Sequence, residues 1–131
     1  MLGEFTYCNP TRLYFGKEAL DGLRQELKKY GPQVLLCYGG GSIKKNGVYD
    51  EVMESLSKAR KNVIEFSGIT ANPTYAKVLE GAKVAREHKV DFILAVGGGS
   101  VMDCCKAISM AAVYDGDIWA DFWARPGIIH F

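Results

Sequence analysis

Two short stretches of this sequence carry residues suited to chemistry: Gly39-Gly40-Gly41-Ser42 and Gly97-Gly98-Gly99-Ser100. Each closes an apolar run, "QVLLCY" in the first case and "VDFILAV" in the second. The pair admits three readings: merely flexible turns, two phosphate sites, or two parts of one site. The second run leads straight into the helix-like "SVMDCCKAISMAAV". Glycines let a ligand approach the backbone closely. A helix start offers unpaired N–H groups and the positive end of a dipole. With Ser100 as the expected cap, the combination suits a pyrophosphate. Asp103, one turn in, would repel phosphate but can accept hydrogen bonds from ribose or amide groups. The competing reading is a capped turn whose glycines only permit tight packing.

The first run has a different chemistry. In NAD-binding sheets a neighbouring strand often ends in an acid that holds the adenosine ribose. Here the strand end is Tyr38-Gly39, with no acid. Small residues, the Ser42 hydroxyl and two lysines, Lys44 and Lys45, follow instead. That set leaves room for a 2′-phosphate and favours NADP(H) over NAD; a loop with two solvated lysines is the plainer alternative. The dinucleotide fingerprint G-x-G-x-x-G is incomplete, because Met102 stands in the third place, and the P-loop pattern is absent.

The elements that must position these runs follow from periodicity. "FTYCNPTRLYF" (Phe5–Phe15) reads as a strand pair or hairpin-like arm, stopped by Gly16. Leu20, Leu23, Leu27 and Tyr30 share a helical face, ended by Gly31-Pro32. "GGGSIKKNG" reads as loop, and Val48, Val52, Leu56 and Ala59 mark a second amphipathic helix. "NVIEF" is a strand. Pro73 suits the first turn of the next helix, whose Val78, Ala82 and Ala85 face inward. The order β-α-β-α-β-α predicts a three-layer α/β fold, a Rossmann-like parallel sheet with an N-terminal strand pair. Ligands in such sheets sit beyond the carboxyl ends of the strands, where both glycine runs begin.

Bulk properties narrow the classes. The chain has 131 residues, with 48% hydrophobic and 24% charged, which suits one globular domain. A net charge of +1 with scattered lysines gives no nucleic-acid footprint. No apolar run reaches the ~20 residues of a membrane span. No basic stretch precedes an apolar one at the N-terminus, so no signal peptide is expected. Cys8, Cys37, Cys104 and Cys105 lack C-x-x-C spacing and read as small fillers in a reducing, cytoplasmic setting.

Several segments together resemble the iron-containing (group III) alcohol dehydrogenases, most closely their NADPH-dependent butanol dehydrogenase branch. They are "FTYCNPTRLYFG", "CYGGGSIKKNGVYDEV", "GITANPTY", "AVGGGSVMDCCKAIS" and "YDGDIWADFW". The resemblance implies a dehydroquinate synthase-like nucleotide-binding domain over residues 1–123 and hydride transfer between NADPH and a small aldehyde or alcohol. By that resemblance Gly39, Gly40, Gly41, Ser42, Lys45, Asn72, Gly97, Gly98, Gly99, Ser100 and Asp103 contact the cofactor. In the family an Asp and three His of a helical C-terminal domain hold Fe²⁺ or Zn²⁺. This chain has two histidines, His88 and His130, so no metal ligand set, no catalytic residue and little turnover are expected of it alone. Residues 124–131 read as a divergent tail, with the metal-binding domain absent. The helix after the second glycine run is apolar almost all round, so something should cover it, a homodimer included. A stand-alone nucleotide-binding or regulatory module, and a flavodoxin-like domain without cofactor, are the alternatives.

Overall fold

The structure, a computed structural model, describes residues 3, 4, 6 and 8–116. Eight elements follow one another: α1 (Ala19–Leu27), β1 (Gln33–Tyr38), α2 (Ser42–Lys45), α3 (Val48–Lys58), β2 (Asn62–Phe66), α4 (Tyr75–Glu87), β3 (Phe92–Val96) and α5 (Gly99–Val113). The three strands form a parallel sheet in the order β2-β1-β3. The expected parallel sheet covered on both faces is present.

β1 is central, and Val34 to Tyr38 are all buried. This is why "QVLLCY" shows no polar alternation: both faces of the strand meet helices. Leu35 and Cys37 pack with Val78, Ala82, Cys104 and Ile108 of α4 and α5. Val34, Leu36 and Tyr38 pack with Leu27, Ile43, Val52 and Leu56 of α1, α2 and α3. Each large aliphatic side chain buried in these layers contributes about 2 kcal/mol. A side chain at Gly81 would collide with Ile108 and Phe66, so this glycine sets how closely α4 approaches its neighbours.

Three details depart from expectation. Residues 8–15 pair with no strand among the described residues. Asn9 Oδ1 instead accepts from the Thr11 N–H, Pro10 has no N–H to donate, and the arm lies on α1 through Arg12 and Tyr14, which both donate to Glu26 Oε1. Residues 42–45 form one helical turn rather than loop, because buried Ile43 anchors them to the sheet. Pro73 stands one residue before the cap of α4: Thr74 is the N-cap, and its Oγ1 accepts from the Lys77 N–H at 3.2 Å. α5 buries Val101, Cys104, Cys105, Ile108 and Ala111, while Met102 and Val113 remain 48% and 84% exposed. The described residues thus cover one side of this apolar helix.

Candidate functional site

The two glycine runs are neighbours. β1 and β3 lie side by side, with Tyr38 opposite Val96, and each strand runs directly into its Gly-Gly-Gly-Ser. The β1–β2 connection packs on one face of the sheet and the β2–β3 connection on the other. The direction of winding therefore reverses between β1 and β3, the switch point at which such sheets bind ligands. A third loop is laced to both runs. The Gly68 N–H donates to Gly39 O at 2.8 Å and the Ile69 N–H to Tyr38 O at 3.3 Å. Ser100 Oγ donates to Ala71 O at 2.7 Å. Asn72, exposed and next to Ala71, therefore stands at the same edge.

In the second run, Gly97 has φ +152, and a Cβ there would lie 2.8 Å from Val101 Cγ2. Gly98 is extended, α5 begins at Gly99, and the Met102 N–H bonds back to Gly98 O at 3.2 Å. The expected cap by Ser100 is not formed. Ser100 is already inside the helix, so its hydroxyl reaches across to the loop carbonyl and no side chain caps α5. The first N–H groups of this 15-residue helix are left without a side-chain partner, at the positive end of its dipole. Asp103 is exposed and lines a cleft of about 450 Å³ with Pro73, Thr74, Tyr75 and Cys104.

In the first run, Gly39 is fixed by packing: a Cβ would lie 2.8 Å from Ile69 O. Lys44 lies over two tyrosine rings, with its Nζ 5.6 Å from the Tyr38 ring centre and 4.9 Å from that of Tyr49. The two tyrosine hydroxyls donate to Glu65 Oε1 at 3.0 and 2.8 Å. The Glu65 carboxylate holds the Tyr49 proton in place and pushes its pKa up to about 12. Lys45 is exposed, sits three residues from Ser42 on the same side of the turn, and has no ion pair among the described residues. Of the two lysines, Lys45 is thus the one left available, and the stacking of Lys44 is a contact that no spacing rule announced.

A comparison of the glycines tests whether a dinucleotide fits. Gly39 and Gly97 must be glycine for the chain's own sake. At Gly40, Gly41, Gly98 and Gly99, an added Cβ would meet nothing within 4 Å. Gly41 and Gly98 also have ordinary negative φ values. Packing among the described residues thus gives no reason for glycine at these four positions. The open space they leave, beside the free start of α5, fits a phosphate-bearing cofactor.

The remaining candidates separate. Cys37, Cys104 and Cys105 are buried core fillers, whereas Cys8 is exposed. The neighbouring Cys105 thiol and burial push the Cys37 thiol up, and the Cys37 thiol in turn lowers that of Cys105. His88 ends α4 at the surface, its Nδ1 3.0 Å from Val84 O. His130 and the aromatic tail lie outside the described residues. Among the described residues no group of three or more His, Cys, Asp or Glu side chains could hold a metal ion. No helix among them is long and apolar enough to cross a membrane.

Fold and edge together define a doubly wound, nucleotide-binding type of domain. The family model of iron-containing alcohol dehydrogenases matches residues 10–128, and the chain belongs to that family. It is 56% identical over 118 residues to a probable NADH-dependent butanol dehydrogenase 2 of Bacillus subtilis, covering 90% of this chain and 30% of the relative. It is 46% identical over 117 residues to the NADPH-dependent aldehyde reductase YqhD of Escherichia coli, covering 89% and 30%. The crystal structure of an NADH-dependent butanol dehydrogenase A from Thermotoga maritima superposes with a TM-score of 0.84 at 48% identity, covering 91% of this chain and 30% of that one. The chain thus spans about 30% of the length of these relatives.

Proposed function

We propose that this chain is the NADP(H)-binding domain of a metal-dependent alcohol dehydrogenase, and that by itself it binds cofactor without turnover. The observation that carries this reading is the group of four glycines whose missing side chains leave unfilled space at the switch point. In the proposed mode the N–H groups at the start of α5, from Gly99 and Ser100, hold the pyrophosphate, with Gly97 and Gly98 letting it approach. Ser42 and Lys45 hold the adenosine 2′-phosphate, and Gly40 and Gly41 make room for it. Asn72 and Asp103 accept hydrogen bonds farther along the cofactor. When bound, NADPH supplies the hydride. The named relatives include both NADH- and NADPH-dependent enzymes, so the preference for NADPH rests on the missing acid at Gly39 and on Lys45.

The chemistry assigned to this chain in this reading stops at cofactor binding. Reduction of a small aldehyde is proposed for the assembly in which such a domain works, with the rest of the relatives' length, or a second copy, against exposed Met102 and Val113. Titration of the pure chain with NADPH and NADH tests the reading. Charge-assisted contacts to the 2′-phosphate should make NADPH at least about tenfold tighter. Equal affinities would remove the NADP assignment, and no binding of either at millimolar cofactor would remove the site. Aldehyde reduction by the pure chain with added Fe²⁺ or Zn²⁺ would overturn the claim of binding without turnover.

A further inference from the structure

The amino-terminal edge of the sheet carries a second cluster of polar groups that the cofactor edge does not use. A cleft of about 370 Å³ opens between the last turns of α1 and α3, lined among others by Arg24, Lys28, Ser55, Lys58, Arg60 and Lys61. Lys61 immediately precedes β2, so the cleft lies at the end of the sheet opposite the glycine runs. Two buried side-chain polar atoms among the described residues lack a hydrogen-bond partner, Ser55 Oγ and Arg24 Nε. Both residues line this one cleft. Ser55 is 0% exposed, and an unpartnered hydroxyl at that depth is costly unless something meets it.

We propose that this cleft is an anion site that takes the phosphate group of a small phosphorylated molecule. Its charge balance is strongly positive. Arg24 is paired with Asp21 at 3.0 Å and Lys58 with Glu54 at 2.8 Å. Lys61 Nζ donates to the carbonyls of Tyr30 and Gly31 at 2.8 and 2.9 Å, which leaves one N–H. Lys28 and Arg60 have no ion pair among the described residues. Arg60 holds φ 56, at the end of α3 where glycine is the favoured residue. Lys89 holds φ 50 at the equivalent position after α4, so a left-handed cation marks a helix end in this fold, and what sets Arg60 apart is its place beside Ser55 and Arg24. Cations at helix C-termini also offset the helix dipoles. That role needs neither the buried Ser55 hydroxyl nor the buried Arg24 Nε; an oxyanion in the cleft would accept from both once the side chains that cover them shift aside.

The test is a titration of the 131-residue chain with inorganic phosphate against chloride at matched ionic strength, followed by melting temperature and amide chemical shifts. Saturable binding is expected, with shifts centred on residues 24, 28, 55, 60 and 61 and a melting point raised above the chloride control. Ser55→Ala should weaken phosphate binding by about tenfold, the worth of one hydrogen bond to a charged group. Arg60→Gly should weaken it similarly while raising the melting point without phosphate, because the backbone strain is relieved; this variant separates site from fold. Equal effects of phosphate and chloride would overturn the proposal. So would variants that melt higher yet bind phosphate like the parent chain, since the hydroxyl would then be only an unsatisfied core group.

Discussion

Gly39-Gly40-Gly41-Ser42 and Gly97-Gly98-Gly99-Ser100 share four letters and one edge of the sheet, yet their backbones diverge at once. The first run turns into a helix of 4 residues pinned by Ile43. The second opens a helix of 15 residues whose start no side chain caps. The residues after each serine make the difference: "IKKNG" supplies one apolar anchor and then a break, whereas "VMDCCKAISMAAV" supplies a long apolar face. A long uncapped helix is an anion cradle; a single turn is a platform for side chains. Each run also begins with one glycine that the fold requires and continues with two that it does not.

Substitutions can break that comparison. The largest effect is expected for Gly97→Ala. A side chain at φ +152, 2.8 Å from Val101 Cγ2, should cost about 3 kcal/mol in urea unfolding and abolish cofactor binding. Gly39→Asp should cost about 2 kcal/mol, because its Cβ meets Ile69 O and the 67–71 loop must move. The same change should erase any preference for NADPH over NADH. Ser100→Ala removes one bond to Ala71 O and should cost at most about 1 kcal/mol, visible as faster amide exchange in the loop after β2.

The smallest effect concerns pH. The Tyr49 pKa is raised from 10.0 to about 12 because Glu65 holds the phenol proton. The folded value is the higher one, so this contribution is fully present below pH 10 and lost as pH rises toward 12. Tyr49→Phe should lower the melting temperature modestly at neutral pH, where the contribution is present, and flatten its alkaline decline, so that the two proteins converge as pH rises toward 12.

Much of this was legible in the sequence because it depends on period and order. Leu20, Leu23 and Leu27, or Val78, Ala82 and Ala85, repeat at helical spacing, and "QVLLCY" has no polar residue from Val34 to Cys37 because it is central. Placing both glycine runs at one edge needed only the rule for parallel sheets. What stayed hidden depends on contacts between distant residues. The Ser100–Ala71 bond spans 29 residues and cancelled the expected cap. Lys44 stacks on Tyr38 and Tyr49 through a turn too short for any periodicity to mark. The basic cleft joins α1 to α3, and its orphan Ser55 looks like any helix serine until its surroundings are known. The arm at residues 8–15 has strand composition, yet among the described residues it pairs with neither edge strand, β2 or β3, and is held on α1 through Glu26 instead.

In the proposed mode of binding, Gly40, Gly41, Gly98 and Gly99 leave space for a cofactor and are not required by the fold. Gly99→Ala tests it most directly, because the two roles predict opposite signs in one protein. Alanine is the better helix former and meets nothing within 4 Å at this position. The variant should therefore unfold about 0.5 kcal/mol harder than the parent chain. Its NADPH affinity, measured by titration on the same sample, should fall at least about tenfold, the scale of one charge-assisted contact to phosphate. A more stable variant that binds NADPH as tightly as the parent would contradict the account and leave these glycines as turns.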